Sequence, residues 1–275
     1  MHTTTRTRAL AMGLSACLLA GGTLSAQVSV EGTTVRDRRA QPGESYSGTF
    51  TIVNASEEPQ EAKLYQTDYL TNANGSNTYG RPGSGARSNG AWVSVAPSVV
   101  ILPPRSKREV TFTVTVPSDP SLSGSYWSMV MVEGVPRGSS ESTLPVAGTP
   151  KVQAAVVTRT RYAVQIITQV GPAIKPVATF DAPAVHAAKD GTKELQVDLV
   201  NSGIRSFAPS FTLEVYAPDG TRARSVAASR EVLYPGTSLR QHFALQALPS
   251  GTYRALLTMD AGDDTVLGAQ YTLKL

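Results

Sequence analysis

The residues of this 275-residue chain whose types suit chemistry are few and scattered. Asp260, Asp263 and Asp264 crowd one turn, Asp260-Ala-Gly-Asp-Asp264, and such a run offers oxygen ligands to a hard cation. Its spacing lacks the ordered alternation of a calcium loop, and acidic turns are common surface punctuation. Past the N-terminal segment, His186 and His242 each stand alone in a strand-like pattern. Zinc would want three or four closely spaced Cys, His or carboxylate ligands, and the chain offers no such set. There is no Gly-x-Ser-x-Gly elbow, no phosphate loop and no dinucleotide fingerprint. Carboxylate pairs for glycoside chemistry can lie far apart in a chain, and nothing here points to one. The expectation is a binding protein, not an enzyme, with no cofactor and no metal.

The richest segment is residues 151–170. One phase of its alternation carries Val152, Ala154, Val156, Thr158, Thr160, Tyr162, Val164 and Ile166. The other carries Gln153, Ala155, Val157, Arg159, Arg161, Ala163, Gln165 and Ile167. At about 3.3 Å per residue such a strand outruns one sandwich. One reading makes it the last core strand of a domain, bulged on its way into a linker. Another makes it an exposed strand that offers alternating apolar residues and an unpaired edge to a partner. Both can hold along different halves.

The elements that must position this segment are strands almost throughout. Val28-Ser-Val-Glu31, Thr49-Phe-Thr-Ile-Val53, Val110-Thr-Phe-Thr-Val-Thr-Val116 and Leu195-Gln-Val-Asp-Leu199 alternate with period two. Turn signals punctuate them at Gln41-Pro-Gly-Glu44, Pro117-Ser-Asp-Pro120 and Ala217-Pro-Asp-Gly220. An internal repeat goes further. Ile101-Leu-Pro-Pro104, Phe112-Thr-Val114 and Ser123-Gly-Ser-Tyr126 are answered by Val232-Leu-Tyr-Pro-Gly236, Phe243-Ala-Leu245 and Ser250-Gly-Thr-Tyr253. Upstream, Phe50-Thr-Ile-Val-Asn54 is answered by Val197-Asp-Leu-Val-Asn201. The fold expected is all-β, two tandem immunoglobulin-like β-sandwich domains over residues 27–172 and 173–275. The linker is Gly171-Pro-Ala-Ile-Lys-Pro176, short and stiffened by proline. The first domain has two additions. Residues 70–90, rich in Gly and Asn, cannot bury a core and read as a mobile loop, either a solvated hairpin tip or a ligand-gripping loop. Residues 137–148 form a polar loop leading into the long strand.

Arg6 and Arg8, the apolar run of residues 9–20 and Thr23-Leu-Ser-Ala26 have the order of a secretory signal peptide over residues 1–26, with cleavage after Ala26. The apolar run is shorter than the roughly 20 residues a bilayer span needs. Leu14-Ser-Ala-Cys17 also reads as a lipobox, although apolar residues rather than a polar tether follow it. Cys17 is the one cysteine, so the remaining chain relies on hydrophobic cores and not on disulfides. Without Arg6 and Arg8 the chain has 23 bases against 21 acids, a net charge of +2. That excludes nucleic acid or an anionic membrane as the obvious partner. No later segment approaches transmembrane length, which places the protein in the periplasm or cell envelope.

Several stretches resemble the periplasmic chaperones of pilus assembly, the chaperone half of chaperone–usher systems. Val28-Ser-Val-Glu31 is similar to their opening strand, and Phe50-Thr-Ile-Val-Asn54 to their second. Val99-Val-Ile-Leu-Pro-Pro104 resembles the proline step before a later strand. Gln153-Ala-Ala-Val-Val-Thr-Arg-Thr-Arg161 resembles the terminal strand that carries a basic residue. The resemblance implies that Val152, Ala154 and Val156 fill a groove in an incomplete subunit. It implies that Arg161, or Arg159 in another register, takes the subunit's terminal carboxylate. Partners would be subunits of a pilus or surface assembly and an outer-membrane usher. The family's first-strand arginine falls at Thr34 here, with Arg36 and Arg38 slightly later, and Trp127 and the glycine-rich loop are further departures. Trp92-Val-Ser-Val-Ala-Pro97, Phe112-Thr-Val-Thr-Val-Pro117 and residues 123–133 also resemble envelope proteins that interact with WxL-type surface partners. That likeness implies a structural or adhesive protein with tandem immunoglobulin-like domains. Such proteins normally add a C-terminal membrane anchor, which the residues up to Leu275 do not contain.

Overall fold

Period-two alternation of apolar and polar side chains shapes many of the strands of the computed structural model, which describes residues 28–145, 159–187, 192–230, 232–245 and 248–275. The proposed signal segment and Cys17 lie outside them. The first domain's strands are β1 (Val28–Glu31), β2 (Val35–Ala40), β3 (Ser45–Asn54), β4 (Gln60–Thr71), β5 (Asn77–Gly80), β6 (Val93–Ala96), β7 (Val99–Leu102), β8 (Lys107–Thr115), β9 (Gly124–Val135) and β10 (Arg161–Val170). The second domain's are β11 (Ala178–Ala187), β12 (Lys193–Asn201), β13 (Ser210–Tyr216), β14 (Arg222–Ser229), β15 (Ser238–Ala244), β16 (Thr252–Asp260) and β17 (Val266–Lys274). Each domain packs two sheets face to face. In the first, β1-β3-β8-β6 covers β2-β10-β9-β4-β5, with β7 on β4. In the second, β11-β12-β15 covers β14-β13-β16-β17.

β8 shows why the residues choose this form. Val110, Phe112 and Val114 turn inward and are buried, while Thr111 and Thr115 face solvent. Full burial of each such apolar side chain stabilises by about 1.5–3 kcal/mol. Phe50, Ile52, Leu102 and Ile166 join them in the first core; Leu195, Leu213, Phe243 and Leu257 centre the second.

The repeat has a physical basis at its two asparagines. Asn54 is buried, and its Nδ2 donates to the carbonyls of Glu58, Leu102 and Pro103 at 2.8, 3.2 and 2.8 Å. Asn201 is buried likewise, its Nδ2 donating to Arg205 O at 2.8 Å and Leu233 O at 3.1 Å. Each Oδ1 accepts a backbone N–H two residues on, from Ser56 or from Gly203. The amide thus ties a strand end to the proline turn of a distant segment in both domains. The turn itself needs a left-handed residue. Gly236 supplies it with φ 73°, and the repeat's counterpart, Arg105, adopts φ 51°.

The glycine-rich stretch departs from the expected mobile loop. β4 runs past the sandwich and returns as β5, pairing Asp68 with Gly80 and Thr71 with Asn77. The buried Asp68 carboxylate then fastens residues 83–88. It accepts from Gly83 N at 3.1 Å, Gly85 N at 2.8 Å, Ser84 Oγ at 3.2 Å and Ser88 Oγ. The composition is as expected and builds no core, but one charge-assisted cluster organises the segment instead.

The acidic turn also has structural work. Asp263 forms an ion pair with Arg205, and Asp260 Oδ1 accepts from Gly262 N at 2.8 Å. The sheet brings both histidines beside Glu194, His186 across β11 and β12, and His242 through Nδ1 at 3.1 Å. Among the described residues no group of three His, Cys, Asp or Glu is placed to hold a metal ion. No helix there is long and apolar enough to cross a membrane.

Candidate functional site

The two domains meet along β10. Its ten residues pair antiparallel with β9 over their whole length. β2 covers the other edge in parallel register, but only from Gln165 to Val170. Gln165 N donates to Thr34 O at 2.7 Å where that cover begins. Among the described residues, Arg161, Tyr162, Ala163 and Val164 therefore have a strand on one side alone. The period of two then divides the side chains. Tyr162, Val164 and Ile166 pack into the first core. Arg161, Ala163 and Gln165 line a cavity of about 670 Å³ between the domains. Ile167 packs with Trp127 and Tyr234. The core reading is thus realised from Tyr162 onward. Val152, Ala154 and Val156 lie outside the described residues.

Arg159 and Arg161 come together on Glu133, a buried residue of β9. Arg161 Nε lies 2.8 Å from one carboxylate oxygen and Arg159 Nη1 3.3 Å from the other. Tyr65 donates its hydroxyl to the same group at 3.0 Å, and Arg159 also reaches Glu141 at 3.5 Å. Burial would raise the Glu133 carboxyl, but the hydrogen bonds from Tyr65, Arg161 and Arg159 outweigh it and hold it below the ordinary carboxylate range. Sequence reasoning did not single out Glu133 or Tyr65. Their signal is strand register, since Glu133 stands directly across from Arg161.

The polar loop is partly anchored. Glu61, buried at the start of β4, accepts from Thr143 N at 2.8 Å and from the hydroxyls of Ser142 and Thr143 at 3.0 and 3.1 Å. The described end of that loop is therefore held to the sheet before the chain reaches the long strand.

The second domain closes the cavity with Arg230, Val232, Tyr234 and Arg240. Tyr234 is buried, stacks on Trp127 with centroids 4.5 Å apart and donates its hydroxyl to Gln165 Oε1. Beside it the backbones interlock. Ser125 N donates to Ile204 O at 2.7 Å, Ser206 N to Ser125 Oγ at 2.6 Å, and Gln169 Nε2 to both Ser206 Oγ and Asp37 Oδ2 at 3.1 Å. The tip of the β4–β5 hairpin touches the second domain as well, Ala73 N donating to Ser238 Oγ at 2.9 Å. A second cavity, about 590 Å³, is lined by Leu70, Arg87, Trp127, Gly203 and Pro235 among others. Thr34 lines the first cavity. Arg36 does not; its guanidinium is turned to the carbonyls of Thr33, Val35 and Thr49. Arg38 lies over the Tyr46 ring.

No family model matches the chain, and no curated protein matches it. Solved structures do. The class 5 fimbriae chaperone CfaA is similar over 89% of this chain and 98% of its own, at 14% identity and a TM-score of 0.45. The Pseudomonas aeruginosa chaperone CupB2 is similar over 90% and 100%, at 13% identity and 0.41. A PapD-like domain of human CEP192 is similar over 60% of this chain and 100% of its own, at 15% identity and 0.36. The described residues of this chain form two β-sandwiches with no helix among them.

Proposed function

We propose that this chain is a periplasmic, chaperone-like binding protein that holds a subunit of a pilus or other surface assembly by donating the strand leading into β10. The observation that carries the reading is the half-covered edge of β10. From Gln165 onward the strand is a sealed core element, whereas among the described residues Arg161–Val164 keep an edge without a strand partner, beside a cavity between two domains. An open edge is a template for another chain's backbone. In the sequence, Val152, Ala154 and Val156 continue the phase of Tyr162, Val164 and Ile166, whose side chains the first core buries. Apolar residues in that phase suit a groove in a partner that lacks a strand, with backbone pairing giving affinity. Arg161, with Arg159 behind it, borders the cavity there, and a partner carboxylate would have to compete with Glu133 for either guanidinium. An outer-membrane usher would be a further partner.

Affinity purification from the native envelope fraction tests this, with wild type beside Val152→Glu and Arg161→Ala. A small subunit protein should co-purify with wild type and be lost from Val152→Glu, because an unpaired charge in an apolar groove is very costly. Recovery of the same protein with Val152→Glu would sink the donor-strand reading.

A further inference from the structure

Three arginines line the cavity between the domains, and they differ in how much of their charge is already spent. Arg161, from the first domain, shares Glu133 with Arg159, which also pairs with Glu141. Two guanidinium groups meet two carboxylates there, so the cluster carries no net charge. Arg240, from the second domain, is closed on Asp198 by two bonds of 2.7 and 2.9 Å, the fork geometry that satisfies both partners. Arg230 is different. Its Nε donates to Gln241 Oε1 at 2.6 Å and its Nη2 to Arg240 O at 3.3 Å, and both acceptors are neutral. Among the described residues it forms no ion pair; Glu231, next to it in the sequence, lies outside them. A guanidinium has five donors, so Arg230 keeps others for a ligand. Its neighbours in the lining include Tyr79, 58% exposed, along with Tyr162 and Tyr234.

Resting on the strand-donation reading, we infer that Arg230 of the second domain is the group that takes a partner carboxylate in the cavity, while β10 of the first domain pairs with the partner's backbone. The partner is then a polypeptide with a carboxylate, at its C-terminus or on an Asp or Glu side chain, gripped from both domains at once. Two consequences separate this from an anchor made by the first domain alone. Anion binding would not need to break the Arg161–Glu133 pair. It would also depend on the junction that sets the second domain against the first.

The test uses the whole mature chain with arginine Nε resonances followed by NMR. The probes are N-acetylphenylalanine, its amide, and N-acetylglutamic acid α-amide. The first carries a terminal carboxylate, the last a side-chain carboxylate, and the amide neither. Arg230 Nε should shift with one or both carboxylates and not with the amide, and which carboxylate acts names the source. A shift at Arg161 with none at Arg230, or no arginine shift at all, overturns the inference. In the envelope co-purification, Arg230→Gln should weaken capture by about 10- to 150-fold, the range of a charge-assisted hydrogen bond. Full capture by Arg230→Gln beside loss by Val152→Glu would discard the Arg230 assignment and leave strand donation standing. Full capture by both would discard strand donation itself.

Discussion

Replacing Gly124 with alanine should loosen the junction between the domains while sparing both cores. Gly124 opens β9 with φ +80°, a left-handed conformation that costs an L-residue about 1–2 kcal/mol. A Cβ there would lie 2.2 Å from Ile204 O, well inside the 3.0 Å that Cβ atoms respect. That oxygen is backbone, held by Ser125 N at 2.7 Å, so no rotamer change relieves the clash. The second domain must shift instead, stretching the Ser125–Ile204 and Ser206–Ser125 hydrogen bonds. Two such bonds contribute about 1–3 kcal/mol, which with the backbone cost gives roughly 2–5 kcal/mol, all at the junction. Amide exchange measures it locally. The Ser125 and Ser206 amides should exchange at least about 30-fold faster, the equivalent of 2 kcal/mol. Amides of Val114 and Leu257, in the two cores, should be unchanged. Wild-type exchange at Ser125 and Ser206 in the alanine variant would refute the interlocked junction.

Asn201→Ala removes the side-chain donor to Arg205 O and one of the two donors to Leu233 O, which keeps Phe207 N at 3.2 Å, and should cost about 1–3 kcal/mol in urea unfolding; a loss under about 0.5 kcal/mol would contradict the tie between strand end and proline turn. Asp68→Ala removes the acceptor that fastens Gly83, Ser84, Gly85 and Ser88, so trypsin should cut after Arg87 far faster than in wild type, and equal rates would contradict the staple. Glu133 is held below its usual range in the folded protein, so the unfolded chain binds the extra proton as pH falls. Its contribution is complete above about 4.5 and is lost as pH drops through the folded value, so Glu133→Gln should flatten the acid limb of the first domain's stability curve.

Much of the fold was readable because each strand repeats a period the chain states openly. Val110–Thr115 alternates so regularly that its buried face follows from residue type alone. The asparagine of each strand end was visible as a repeat, but its function was not, because the carbonyls it serves come from segments 48 and 32 residues away. For residues 70–90 the hairpin tip was readable, but not what organises residues 83–88. Their glycines and asparagines exclude a core, and the carboxylate that orders them belongs to the preceding strand, so local composition gave no sign of it. β9 lacks clean alternation, because its second face is buried too, where Trp127 stacks on Tyr234 and Met129 lines the cavity. Arg159 and Arg161 stood out by type and position, but their shared partner Glu133 needed the register of one sheet, and the place of Arg230 in the cavity lining the approach of a second domain.

If the protein works by strand donation, the strand before β10 belongs to a partner's sheet whenever the protein is loaded. A photo-crosslinking side chain placed at Val156, irradiated in the native envelope, reads that contact itself. Strand donation predicts covalent capture of a small envelope subunit, abolished when Val152→Glu is added, with the circular dichroism melt of the double variant unchanged. Crosslinks confined to the chain's own first domain, together with unfolding of the glutamate variant, would show that Val152 and Val156 are core residues and contradict strand donation.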